Sequence, residues 1–97
     1  MSLTHAESAA IRAAVARVGD RIQPLLHPHP GLVRRNAYAH LWLGIKVRFG
    51  DDWRETAEPR SVLGLIEWIG LNPNEDYDRW GGPVVRRSIA DRGLLFE

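Results

Sequence analysis

Starting at Ile11, the apolar residues Ile11, Val15, Val18, Ile22 and Leu25 recur at alternating steps of four and three, the period of a helix with one apolar stripe. Thr4 and Glu7 precede the stripe at the spacing of a capping box, in which each side chain satisfies a backbone amide left open at a helix start. The pattern predicts a first helix from Thr4 to about Leu26. A stripe this narrow fits packing against one neighbouring helix better than full burial. Gly19 interrupts it, at a cost of about 1 kcal/mol relative to alanine unless close packing uses its small size.

His27, Pro28, His29, Pro30 and Gly31 cannot continue a helix, because each proline lacks an amide hydrogen and pushes its predecessor toward extended geometry. After this turn Asn36 is placed to cap a second helix, with Tyr38, Leu41, Trp42, Ile45 and Phe49 on one face and Gly50 as a left-handed stop. Asp51 to Glu58 reads as a polar connection anchored by Trp53. Pro59 suits the first turn of a third helix ending near Gly70. That helix is apolar nearly all round, through Val62, Leu63, Leu65, Ile66, Trp68 and Ile69, so it is expected to be the most buried segment, with a buried strand as the competing reading.

Asn72, Pro73 and Asn74 signal a turn, followed by an irregular stretch in which Tyr77 and Trp80 fold back on the core. Pro83 starts a short fourth helix carrying Val84, Val85 and Ile89 and stopped by Gly93. The apolar tail Leu94, Leu95 and Phe96 must then dock on the body or on another chain. The expected fold class is mainly α: a small single-domain helical bundle of three to four helices spanning residues 1–97.

Composition supports folding and narrows the chemistry. With 97 residues, 44% hydrophobic and 26% charged, the chain resembles an ordinary globular domain. No apolar run approaches the roughly 18 residues of a membrane span, and Met1 to Ala10 lacks the apolar centre of a signal peptide, so a cytoplasmic location without membrane contact is expected. The absence of cysteine excludes disulfides, thiol nucleophiles and thiolate zinc sites. The net charge of +1 conceals an uneven distribution. Arg34, Arg35, Lys46 and Arg48 lie between Gly31 and Gly50 without an acid, whereas Asp51 to Glu58 holds four acids against Arg54 alone.

Catalytic and metal chemistry find little purchase. His27 and His29 stand one residue apart in a proline-rich turn, without the i, i+4 geometry of a helical metal motif, and His5 and His40 are remote in sequence. A solvated turn is the expected role, and no metal or cofactor is assigned. Asp51 and Asp52 read as loop punctuation. Glu67, set among Ile66, Trp68 and Ile69, must find a partner if buried, and an arginine-paired or solvent-facing role is favoured over catalysis. Gly81 and Gly82 before Pro83 form a turn rather than a phosphate cradle, and no catalytic residue is assigned.

Two binding functions remain. Four tryptophans, the narrow first stripe and the apolar tail favour a non-enzymatic protein-interaction module that binds another protein or itself, through Ile11, Val15, Val18, Ile22, Trp53, Trp80 and Phe96. The alternative is a nucleic-acid-binding accessory protein that contacts phosphates through Arg34, Arg35, Lys46, Arg48, Arg86 and Arg87. Val84 to Leu95 has a passing likeness to the end of a winged-helix recognition helix. Its distance from the preceding helix is far longer than a helix-turn-helix turn, and no family is assigned on it.

Overall fold

A computed structural model of the chain describes residues 2–27 and 36–75. Among these residues the chain forms four α-helices and no strand: α1 (His5–Ile22), α2 (Ala37–Phe49), α3 (Trp53–Thr56) and α4 (Pro59–Leu71). The expected helical bundle is therefore present. The fourth helix expected at Pro83 and the tail at Leu94 to Phe96 lie outside the described residues.

The first helix begins as its sequence dictates. The Thr4 amide donates to Glu7 Oε1 at 2.8 Å and the Glu7 amide donates back to Thr4 Oγ1 at 3.1 Å. It ends earlier than the apolar period suggests. Pro24 has no amide hydrogen to give to the Asp20 carbonyl, so the α-helix stops at Ile22 and a 3-10 turn, Gln23–Leu25, completes the segment. Leu25, expected as the last member of the stripe, is 53% exposed as a result.

The other four stripe residues are interior. Ile11, Val15, Val18 and Ile22 are no more than 2% exposed, enclosed where α1 packs against both α4 and α2. This corrects the expectation that the stripe offers itself to a partner. Two helices converge on it rather than one, and Ala14 and Gly19 are buried beside it.

Every amide opening α2 finds an acceptor. Ala37 donates to Gln23 Oε1, Tyr38 and Ala39 donate to the Asn36 side chain, and His40 donates to the Asn36 carbonyl, all within 2.9–3.2 Å. Seven residues of α2 are buried, Ala37, His40, Leu41, Leu43, Gly44, Ile45 and Val47, whereas α4 buries only Val62, Ile66 and Ile69. The most enclosed helix is thus α2 and not the strongly apolar 59–70 segment. It meets α1, α3 and α4, while α4 leaves Leu63, Leu65 and Trp68 half-buried and Leu71 78% exposed. Tyr38, expected to share one face with Leu41 and Ile45, is exposed while those two are buried, and it lies against Gly19 of α1 with its hydroxyl donating to Asp20 Oδ1.

Two contacts fasten the ends. The Asn74 side chain accepts from the His27 amide at 2.8 Å and donates to the Leu25 carbonyl at 2.9 Å, tying the turn after α4 to the end of the first segment. The Leu3 amide donates to the Arg54 carbonyl at 3.1 Å, holding the chain start against α3.

Candidate functional site

On α2, Ala39, Trp42, Leu43 and Lys46 follow the i, i+3, i+4, i+7 spacing of a single helix face. This face turns toward α3, which exists because of what happens at Gly50. That residue has φ +98°, a conformation that a side chain disfavours, and its amide still closes the helix on the Lys46 carbonyl at 2.8 Å. The chain reverses there, and the Trp53 amide donates to the Gly50 carbonyl. One helical turn follows, with the Asp52 carbonyl accepting from the amides of Glu55 and Thr56 and from the Thr56 hydroxyl.

The reversal brings Trp53 back against α2. Its ring is 3% exposed, and its centroid lies 6.1 Å from that of half-buried Trp42, with the two planes tilted by 30°. Arg54 lies across both. Its guanidinium carbon is 4.2 Å from the Trp53 centroid and 5.9 Å from the Trp42 centroid, within cation–π range of each. Ala39, Trp42, Leu43, Lys46, Trp53 and Arg54 line an open groove of about 290 Å³. Its two cations differ in their commitments. Lys46 Nζ lies 3.6 Å from Asp51 Oδ1, whereas the Arg54 guanidinium has no carboxylate within ion-pair distance among the described residues.

The residues singled out from sequence are distributed unevenly. Trp53 does belong to this groove, but as its floor rather than as an exposed contact. Ile11, Val15, Val18 and Ile22 belong to the core. Trp80 and Phe96 lie outside the described residues. Of the basic set, Lys46 is at the groove and Arg48 is exposed on the last turn of α2, while Arg34, Arg35, Arg86 and Arg87 lie outside the described residues.

The chemistry-bearing groups resolve into structural contacts. Glu67 pairs with Arg17 across α1 and α4, with both side chains about half exposed. His40 is buried, its Nε2 lying 3.1 Å from the Pro73 carbonyl, and His5 and His27 are exposed. Among the described residues no three potential metal ligands gather in one place, and no helix is long and apolar enough to cross a membrane.

Sequence reasoning missed Trp42 and Arg54 as surface residues. The signal for Trp42 was present in the 39, 42, 43, 46 spacing, a second face running beside the one through Leu41 and Ile45. For Arg54 there was none, because its position over two rings depends on the Gly50 reversal. Comparison with known proteins finds no matching family model, curated protein or solved structure.

Proposed function

We propose that this protein is an interaction module that docks a segment of a partner protein in the groove between α2 and α3. The observation that carries this reading is Arg54. It lies within cation–π range of two tryptophan rings in the lining of an open groove, with no carboxylate in ion-pair distance among the described residues. Tryptophan and arginine are the residue types most enriched where binding energy concentrates, because a large rigid apolar surface and a planar multi-donor cation each lose little conformational freedom on contact. The groove brings two of one and one of the other within a few ångströms.

The test is affinity capture of the tagged chain from a host lysate with and without nuclease, run in parallel with Trp42→Ala and Arg54→Ala. The reading predicts a stoichiometric protein partner that survives nuclease and is lost from both variants. A partner retained by both variants would remove the groove from the account. Recovery that vanishes with nuclease would move the function to nucleic-acid phosphates.

A further inference from the structure

Among the described residues the neighbours of α4 cover only one side of it. Val62, Ile66 and Ile69 are fully buried, while Gly64, Trp68 and Leu71, at the i, i+4, i+7 spacing of one face, run along the opposite side. Gly64 is exposed, Trp68 is half-buried and Leu71 is 78% exposed. Two charges flank this stripe. Arg60 and Glu67 stand seven residues apart, almost two full turns, and so share one edge of it. Arg60 is exposed with no carboxylate in ion-pair distance among the described residues, and Glu67, though bonded to Arg17, keeps 47% of its side chain open. Neither the stripe nor its edge shares a residue with the α2–α3 groove.

We propose that this face of α4 binds a second copy of the chain, with the two α4 helices antiparallel about a two-fold axis. The charge pattern selects that occupant. An axis crossing α4 midway between Arg60 and Glu67 sets Arg60 of each copy level with Glu67 of the other, so one rotation makes two opposite-charge contacts. A parallel arrangement would set like charge against like. The midpoint falls beside Gly64, where the missing side chain lets two backbones approach closely. Trp68 and Leu71 of each copy then lie over the N-terminal half of the other α4, and their apolar surface supplies the attraction. Exposed ion pairs add little affinity and serve to fix the orientation. At 13 residues α4 is about 20 Å long, so the contact belongs to the small class of interfaces and the dimer forms only in the range of roughly 10 µM to 1 mM.

The experiment is sedimentation equilibrium of the full chain over that concentration range at low salt, together with Arg60→Glu, Glu67→Arg and an equimolar mixture of the two variants. The original chain should dimerise. Each reversal turns both contacts into like-charge ones and should weaken the dimer about fivefold. In the mixture the reversed charge of one variant faces the reversed charge of the other, so association should return to that of the original chain, an outcome that a folding defect in either variant would not produce. A chain that stays monomeric throughout would overturn this inference and leave the docking groove standing. Dimers that either reversal leaves unchanged, or variants that do not recover on mixing, would equally overturn it.

Discussion

Gly19→Ala should change sign with the identity of residue 38. A Cβ built at Gly19 would sit 2.6 Å from Tyr38 Cδ1 and 2.8 Å from Cε1. Ordinary carbon contacts need about 3.5–4.0 Å, so the ring must move by roughly 1 Å and loosen the hydroxyl contact to Asp20. Overpacking of this kind costs about 1–3 kcal/mol, while alanine gains about 1 kcal/mol over glycine inside a helix. Gly19→Ala alone should therefore destabilise by about 0–2 kcal/mol. In a Tyr38→Ala background only the helix gain remains, and the same change should stabilise by about 1 kcal/mol, a coupling of about 1–3 kcal/mol.

The control is Gly64→Ala on α4, where an added Cβ meets nothing within 4 Å, and about 1 kcal/mol of stabilisation is expected. Urea unfolding followed by tryptophan fluorescence and circular dichroism measures all four variants. A shift of 1 kcal/mol moves the midpoint by roughly 0.3–1 M. Equal effects of Gly19→Ala with and without the tyrosine would refute the close α1–α2 approach on which the argument stands.

Three further outcomes follow from the fold. Val15→Glu should abolish helical circular dichroism, because a charge at a position 2% exposed costs several kcal/mol; retained helix content would refute the core assignment of the stripe. Asn74→Ala should cost about 1 kcal/mol and speed hydrogen exchange of the His27 amide, and unchanged exchange would exclude the clasp between the two segments. Tyr38, although exposed, has its pKa raised above the ordinary 10.0, first by its hydrogen bond to Asp20, then by partial desolvation and the Asp20 charge. The folded state thus holds the phenolic proton more tightly than the unfolded one, so this contact's stability is complete below the ordinary value and is lost as pH rises through the raised one. NMR titration of the Tyr38 ring should show its pKa falling toward the ordinary value in Asp20→Asn, and no change would exclude Asp20 as the cause.

What could be read from the chain was local. The Thr4–Glu7 box, the Asn36 cap, Pro59 at a helix start and the 72–74 turn depend on backbone donors and acceptors a few residues apart, and all appear where the spacing places them. What could not be read was which apolar residue faces which neighbour. The spacing of Ile11, Val15, Val18 and Ile22 is the same whether one helix covers it or two, and only the convergence of α2 and α4 decides. Trp42 and Trp53 show the same limit. One was placed on the same helix face as Leu41 and Ile45 and the other in a connection, yet the Gly50 reversal makes Trp53 the buried floor and leaves Trp42 half-open beside it.

The docking groove is tested most directly by placing a photo-crosslinking amino acid at exposed Ala39, inside the groove, and in a second chain at exposed Ala13 on the outward side of α1. Irradiation in host cells, followed by mass spectrometry, should give a discrete crosslinked partner from position 39 that is absent from position 13 and is reduced by Arg54→Gln. The same adducts from both positions, or adducts from 13 alone, would contradict the groove as the site of binding.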